Sequence, residues 1–439
     1  MTPIQAQSLP EMLIGKDMIA QAKTGSGKTA AFGLALLEKL QVKRFRIQSM
    51  VLCPTRELAD QVATEIRKLA RAVHNIKVLT LCGGTPFGPQ IGSLEHGAHI
   101  IVGTPGRIEE HVIKGTLKLD DLNLLVLDEA DRMLEMGFEA ALDNIIERTP
   151  LDRQTLLFSA TFPKQIQEIS ENIMTEPVIV KVSASEDNLN ISQQFFHVEN
   201  DIERFEALRL LLLANPVEST VIFCNTKKET QAVCNNLHDD GFSVLALHGD
   251  LEQKDRDQTL LRFSNKSASI LVATDVAARG LDIDSLDLVV NYHIAHDSEV
   301  HIHRIGRTGR AGAQGKAVSL FSDKERYKVG LIEDTLEQVI KPALLPSSDV
   351  LNNARVQAKM STIQIDGGKK QKVRPGDILG ALTAKGTGVE INGKDVGKIN
   401  VLDIKAYVAV NKKVLKIALR KLSTGKMKGR TYKVRHLTL

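Results

Sequence analysis

From Asp17 onward, short apolar runs recur along the chain, each followed by a longer stretch of helical periodicity: residues 18–22, 50–53, 78–82, 100–102, 124–127 and 155–158. A run that is apolar at every position leaves no face for water. Each therefore predicts a strand buried on both sides, and the stretches between them predict the crossover helices of a parallel sheet. A polar stretch at residues 183–192 breaks the rhythm, which restarts with residues 221–223, 243–247, 270–273, 288–291 and 317–321. The pattern predicts an α/β protein with two tandem, doubly wound parallel-sheet lobes. A second polar junction runs through Pro346, Ser347 and Ser348 to about Met360. Beyond it, strands are expected at residues 361–366, 396–403 and 405–410, helices at 375–382 and 411–422, and a last basic strand near 432–437. That order reads as a small split β-α-β sandwich, an α+β module, so the expected domains are residues 1–183, 193–346 and 361–439.

Charge divides along the same lines. Residues 350–439 hold 20 Lys or Arg against 5 Asp or Glu, whereas residues 1–349 hold 37 against 48, although the whole chain carries only +4. So basic a tail is the electrostatic footprint of a polyanion binder. With 43% hydrophobic and 25% charged residues the chain has an ordinary globular composition. No apolar run reaches the roughly 18 residues that a bilayer span needs, which excludes a membrane protein. Met-Thr-Pro-Ile-Gln at the start lacks the basic and apolar character of a signal peptide, and Cys53, Cys82, Cys224 and Cys234 show no paired metal or disulfide spacing. A cytoplasmic location is expected.

Ala22-Lys23-Thr24-Gly25-Ser26-Gly27-Lys28-Thr29 follows the first strand-like run and opens a helix-like stretch. In that setting backbone N–H groups cradle phosphates, Gly25 and Gly27 let the backbone wrap closely, Lys28 reaches the β and γ phosphates, and the Thr29 hydroxyl ligates Mg²⁺. ATP and Mg²⁺ are the expected cofactors. Ala22 departs from the usual first glycine. Residues 124–127 end in Asp128-Glu129-Ala130-Asp131, which puts three carboxylates at a strand end, where α/β sheets bind ligands. Asp128 is suited to hold Mg²⁺ and Glu129 to orient a water. Alone, such a tetrad reads as a solvated helix start; with the phosphate loop upstream it reads as half of a nucleotide site.

These motifs, joined in order by Pro54-Thr55-Arg56-Glu57-Leu58-Ala59, Gly83-Gly84, Thr104-Pro105-Gly106-Arg107 and Ser159-Ala160-Thr161, resemble those of the DEAD-box RNA helicases from the first residues to about residue 345. The resemblance implies two RecA-like lobes and RNA-stimulated ATP hydrolysis that separates short duplexes locally. It implies RNA contacts for Pro54, Thr55, Arg56, Gly83, Gly84, Thr104 and Arg107, and coupling roles for Asp131, Ser159, Thr161 and His303. Taken singly, Thr55, Arg56, Thr104 and Arg107 read as loop caps and surface charges, but each follows an apolar run, which collects them on one sheet edge. Gln5 is implied to read adenine. The aromatic that precedes the family's Pro-Ile-Gln run is absent here, and a truncated N-terminus is the expected reason. In the second lobe His303-Arg304-Ile305-Gly306-Arg307-Thr308-Gly309-Arg310 resembles the arginine-finger segment, with Arg307 and Arg310 acting on the transferring phosphoryl. By the same resemblance Thr274 contacts RNA and Asp282 the nucleotide ribose. The implied catalytic set is Lys28, Glu129, Arg307 and Arg310.

In the basic tail, Lys405-Ala406-Tyr407-Val408-Ala409-Val410 resembles a degraded RNA-recognition strand motif with one aromatic where stacking platforms carry two or three, so the module is RRM-like but not expected to stack bases. RNA is expected instead at Lys412, Lys413, Lys416, Arg420, Lys426, Lys428 and Arg430. A helicase core followed by such a tail resembles the bacterial DbpA type, which implies large-subunit (23S-type) ribosomal RNA and pre-ribosomal particles as partners, ribosome assembly as the setting, and a monomer. Two alternatives stay open on the residues alone: a DNA helicase, and a general RNA-dependent ATPase or RNA clamp.

Overall fold

The computed structural model describes residues 1–22, 26–162, 164–182, 191–278, 286–309, 314–384 and 390–438. The chain divides into two compact units near residue 185. The first is built on seven parallel strands: β1 (Met18–Gln21), β2 (Ser49–Leu52), β3 (Val78–Leu81), β4 (Ile100–Gly103), β5 (Leu124–Asp128), β6 (Gln154–Ser159) and β7 (Val178–Lys181), in the order β3-β4-β2-β5-β6-β1-β7. Strands β2, β4 and β5 are buried at every position, as their unbroken apolar runs require. Val51, Val102, Val126 and Phe158 pack into one face's core and Met50, Ile101, Leu125 and Leu157 into the other's. Phe32, on the helix Lys28–Lys39, meets Phe158 with ring centroids 5.2 Å apart, which ties the helix that opens the phosphate loop to the sheet. Strand β7 was not expected from sequence. Its Val178-Ile179-Val180 run is apolar at three successive positions, yet it lies on the sheet edge with only Val180 fully buried.

The second unit opens with a six-stranded parallel sheet: β8 (Ile191–His197), β9 (Thr220–Cys224), β10 (Val244–Leu247), β11 (Ile270–Thr274), β12 (Leu288–Asn291) and β13 (Gly315–Phe321), ordered β10-β11-β9-β12-β13-β8. Here the expected linker is too long, because Ile191 and Ser192 already belong to β8, paired with Gly315 and Lys316. An edge strand needs only one apolar side, and the Ser-Gln-Gln alternation that results reads as a polar loop.

The basic module follows in the same unit. Strands β14 (Met360–Ile365), β15 (Val396–Val401), β16 (Ala406–Asn411) and β17 (Val434–His436) form an antiparallel sheet, ordered β15-β16-β14-β17. The helices Pro375–Thr383 and Leu415–Thr424 contribute Ile378, Leu382, Ala418 and Leu422 to a core with Ile363, Ile365, Val408 and Val410. Two expected boundaries shift. Asn411 closes β16 and its Oδ1 accepts from Lys413 N at 3.0 Å, capping a single 3₁₀ turn at Lys412–Val414, so the α-helix starts at Leu415 rather than 411. The strand expected to 403 stops at Val401, because Leu402 N donates to Lys405 O at 2.8 Å and turns the chain.

The module's other sheet face is covered as well. Thr362, Gln364, Tyr407 and Ala409 alternate with the core residues along β14 and β16, yet all are buried. Thr362 and Tyr407 meet the second lobe's helix Gln253–Ser264 and the loop after it: the Thr362 Oγ1 lies 2.7 Å from Ser267 Oγ and accepts from Asn265 Nδ2 at 3.3 Å, and Tyr407 hydrogen-bonds Gln258. Lys398 Nζ adds a bond to Ser264 Oγ at 2.9 Å, and Lys359 pairs with Glu218.

Candidate functional site

Every strand of the first sheet is parallel, so the segments that follow β1 to β6 leave from one edge, and the strand order divides that edge in two. Neighbours β5, β6 and β1 carry the acidic tetrad, the Ser-Ala-Thr segment and the phosphate loop. Lys23, Thr24 and Gly25 lie outside the described residues. Gly27 is left-handed at φ 92° and caps the helix Lys28–Lys39; a Cβ there would stand 2.6 Å from Gln5 Nε2. The Gln5 amide donates to Gly27 O at 3.1 Å and accepts from Thr2 N at 2.9 Å, so this side chain rests directly on the loop. Lys28 is buried and folds back, its ammonium donating to Ala22 O at 2.9 Å. Thr29 follows in the helix's first turn, half-buried.

Asp128 ends β5, 3% exposed. Burial pushes its carboxyl up to about 7, against the pull of Lys28 and with a further push from Glu129. Its Oδ1 has no hydrogen-bond partner, and neither do the buried Ser26 and Ser159 hydroxyl oxygens. Orphaned buried polar atoms cost about 1–3 kcal/mol each, so three converging on one edge mark where a polar ligand belongs. Glu129 holds a left-handed backbone, φ 53°, which costs a non-glycine residue of order 1–3 kcal/mol and turns the chain out of β5 into the helix Ala130–Glu135. Asp131 Oδ2 accepts from Thr161 N at 3.1 Å and from Thr161 Oγ1 at 3.0 Å. On the other side Ala22 N donates to Ser159 O at 3.0 Å and Gln21 Nε2 to Ala160 O at 3.2 Å. Residues 159–161 are thus bonded both to the strand entering the phosphate loop and to the acidic tetrad.

Strands β2, β4 and β3 carry the other half. Thr55 caps the helix Arg56–Leu69, its Oγ1 accepting from Leu58 N at 3.2 Å, which contributes about 1 kcal/mol and fixes Pro54 and Arg56 at the strand end. Arg56 Nε and Nη1 are buried without partners. Thr104 stands at the N-cap position of the helix Pro105–Ile113 without a side-chain capping bond. Arg107 is committed within the protein: it donates to Thr85 O and Gln90 Oε1, each at 2.9 Å, and pairs with Glu110 at 3.1 Å. It therefore braces the turn at Gly83 and Gly84, where Gly84 has φ 69°.

In the second unit Thr274 ends β11, buried. Asp282 and Arg310 lie outside the described residues. His303 sits on the helix Ser298–Ile305 and Arg307 just beyond it, both half-buried. Between them stands a residue to which sequence reasoning gave no role. Arg304, 2% exposed, forms a bidentate pair with Asp275 at 2.6 and 2.7 Å and donates to His293 O at 2.7 Å, Asn225 Oδ1 at 2.8 Å and Asn291 Oδ1 at 3.3 Å. It knits the ends of β9, β11 and β12 to the helix carrying His303. The signal was an arginine on the stripe His301, Arg304, Ile305, which is this helix's buried face.

Residues 2–169 match the DEAD/DEAH box helicase family, residues 203–312 the helicase conserved C-terminal domain and residues 362–436 the DbpA RNA binding domain. The chain is 53% identical over 437 residues to the ATP-dependent RNA helicase DbpA of Escherichia coli K12, covering all of this chain and 94% of that one. The chain belongs to the DEAD-box ATP-dependent RNA helicases, of the DbpA type. A DEAD-box ATP-dependent RNA helicase CshA of Geobacillus kaustophilus is 43% identical over 348 residues, 79% of this chain and 74% of that one. Among solved structures, S. cerevisiae Dbp5 bound to RNA and ADP BeF3 matches with a TM-score of 0.70 at 30% identity, over 79% of this chain and 90% of that one. As a member of this family the chain is an RNA helicase that hydrolyses ATP, so the DNA-helicase and non-catalytic alternatives fall. In its DbpA-type domain, Lys412, Lys413, Lys416, Arg420, Lys426, Lys428 and Arg430 are all exposed. Among the described residues, no helix is long and apolar enough to cross a membrane.

Proposed function

We propose that this helicase remodels large-subunit ribosomal RNA during ribosome assembly in the cytoplasm, acting as a monomer, with ATP hydrolysis supported by Mg²⁺. The observation that carries the ribosomal reading is the DbpA RNA binding domain at residues 362–436, fixed to the second lobe rather than tethered to it.

Within the first lobe, Lys28 would neutralise the β and γ phosphates, and Gln5 would read the base. Asp128, with an orphaned buried oxygen, and Thr29, at the helix start, fit a Mg²⁺ ion whose remaining ligands are phosphate and water oxygens. That ion would neutralise charge on the phosphates. Glu129 would orient the attacking water, and Arg307 and Arg310 would act on the transferring phosphoryl. Asp131 and Thr161, joined by two hydrogen bonds, would relay the state of the nucleotide to the RNA half of the edge formed by Thr55, Arg56 and Thr104.

An ATPase assay across a panel of ribosomal RNA fragments, poly(A) and matching DNA tests this reading. At least one ribosomal fragment should stimulate turnover about tenfold more than poly(A) does; equal stimulation by all refutes the ribosomal assignment. Glu129→Gln should bind ATP and RNA and turn over slowly, and normal turnover would remove Glu129 from the mechanism.

A further inference from the structure

The turn at Gly83 and Gly84 and the loop at Thr104 leave the ends of neighbouring strands, β3 and β4. Thr104 N donates to Leu81 O at 3.1 Å, and beyond that bond side chains hold the two loops together. Gln90, half-buried on the helix Phe87–Glu95 that follows the turn, uses all four hydrogen-bonding positions of its amide. Its Nε2 donates to Cys82 O at 3.1 Å and to Thr85 Oγ1 at 2.6 Å, on the two residues that flank Gly83 and Gly84. The Thr85 hydroxyl in turn donates to Cys82 O at 2.9 Å. The amide oxygen accepts from Arg107 Nη1 and from His111 Nε2, each at 2.9 Å. Arg107 and His111 lie one turn apart on the helix Pro105–Ile113. One side chain thereby joins the turn after β3 to the helix after β4.

The amide can sit only one way round. Reversed, its NH₂ would face a guanidinium and its oxygen a carbonyl. His111 fixes the same choice from behind. It is fully buried and stacks on Phe87 with ring centroids 4.1 Å apart. Burial first and Arg107 second lower its pKa to about 4, so the ring is neutral and carries one proton. The Gln90 oxygen can only accept, which places that proton on Nε2 and leaves Nδ1 to accept from the Thr116 hydroxyl at 2.8 Å. An apolar pair could fill this volume, whereas a fully satisfied network fixes a single geometry. We propose that Gln90 and His111 are positioning residues for RNA: the Gln90 amide holds the Gly83–Gly84 turn at the spacing from Thr104 that one RNA strand requires, and His111 holds the amide. This rests on the reading that the edge carrying Arg56, Gly83, Gly84 and Thr104 takes RNA.

The test measures binding of a short oligo(A) to the full chain across a salt series, in the presence of a non-hydrolysable ATP analogue. Binding of the analogue without RNA and thermal unfolding are followed alongside. Gln90→Met keeps the length of the side chain and loses all four bonds. Oligo(A) affinity should fall about tenfold, the equivalent of one misplaced hydrogen bond to a phosphate. Affinity for the analogue should not change, because the phosphate loop and acidic tetrad follow β1 and β5 on the other half of the edge. No cation is removed, so the slope of log affinity against log salt should also hold. Arg56→Gln, on the edge itself, should flatten that slope by roughly 0.7, the value for one phosphate of a single strand. Gln90→Glu keeps the acceptor and loses the donors, and should weaken oligo(A) as much as Gln90→Met. His111→Leu should weaken it as well, and His111→Gln, which restores an N–H near the place of Nε2, should recover most of the loss. Unchanged oligo(A) affinity in folded Gln90→Met would overturn the positioning role, as would parallel losses of oligo(A) binding, analogue binding and unfolding midpoint. If Gln90→Met does not fold, the His111 pair decides: His111→Gln no better than His111→Leu overturns it. Oligo(A) binding left intact by Arg56→Gln would instead refute the RNA reading of the edge.

Discussion

The sheet edges of the two lobes carry polar groups at matching places, but they satisfy them differently. At the first edge Asp128 Oδ1, Ser26 Oγ, Ser159 Oγ and two Arg56 nitrogens are buried without partners. At the second, Asn225, Asp275 and Asn291 are joined by the single guanidinium of Arg304. A buried polar group left alone is a cost that a ligand or an ordered water removes, whereas a completed network gains rigidity. The first edge thus has the character of a cradle and the second of a mount, a contrast between residues left open to a polar partner and residues that hold others in place.

The largest expected effect breaks the cradle. Lys28→Ala should lower kcat for ATP hydrolysis by about 10²–10³ or more, because on the proposed reading the phosphates would lose their buried cation; a steady-state assay with saturating RNA measures it. The mount should break next. Arg304→Ala leaves Asp275 buried and unpaired and should cost the second lobe about 3 kcal/mol, read by denaturant unfolding. RNA-stimulated ATPase should fall more than tenfold in the protein that remains folded. Arg304→Lys, which keeps the charge but not the fork, should recover little of either; full activity in the lysine variant would show that Arg304 supplies charge only.

A smaller effect tests the bridge within the cradle. Thr161→Val removes the hydroxyl bond to Asp131, about 1.5 kcal/mol for a bond to a carboxylate. RNA-stimulated ATPase should stay within about threefold while duplex separation falls about tenfold, a tenfold change being about 1.4 kcal/mol. Equal losses in both assays would mean that the bond supports hydrolysis itself. The smallest concerns stability. Asp128 has its carboxyl raised to about 7, so its protonated form stabilises the nucleotide-free fold below the unfolded value, and that contribution is lost as pH rises through 7. Asp128→Asn should accordingly raise the unfolding midpoint at pH 8 and leave it nearly unchanged below pH 4, while abolishing turnover. A variant less stable than the parent at pH 8 would show that the carboxylate is not a liability there.

Most of the parallel sheets was legible in sequence, because strands buried on both sides must be apolar throughout. The edge strand Ile191–His197 escaped for the converse reason, since its polar Ser192-Gln193-Gln194 start reads as linker, whereas Val178–Lys181 is an apolar run that the sequence reading passed over. The phosphate loop and acidic tetrad were readable because their chemistry needs fixed residue types in order. Arg304 was not, since its role lies in joining strand ends scattered between Asn225 and His293, a proximity that only the sheet order creates. The closed face of the basic module was equally hidden. A single aromatic, Tyr407, already argued against base stacking, but nothing in its sequence neighbours tells that it hydrogen-bonds Gln258.

That joint bears on how such a protein can be taken apart and reused. The surface carrying Thr362 and Tyr407 has its complement on the helix Gln253–Ser264 and the residues just after it. Cutting the chain near residue 360 would bare two mating surfaces at once, and grafting the basic module onto an unrelated helicase core would leave its sheet with nothing to rest on.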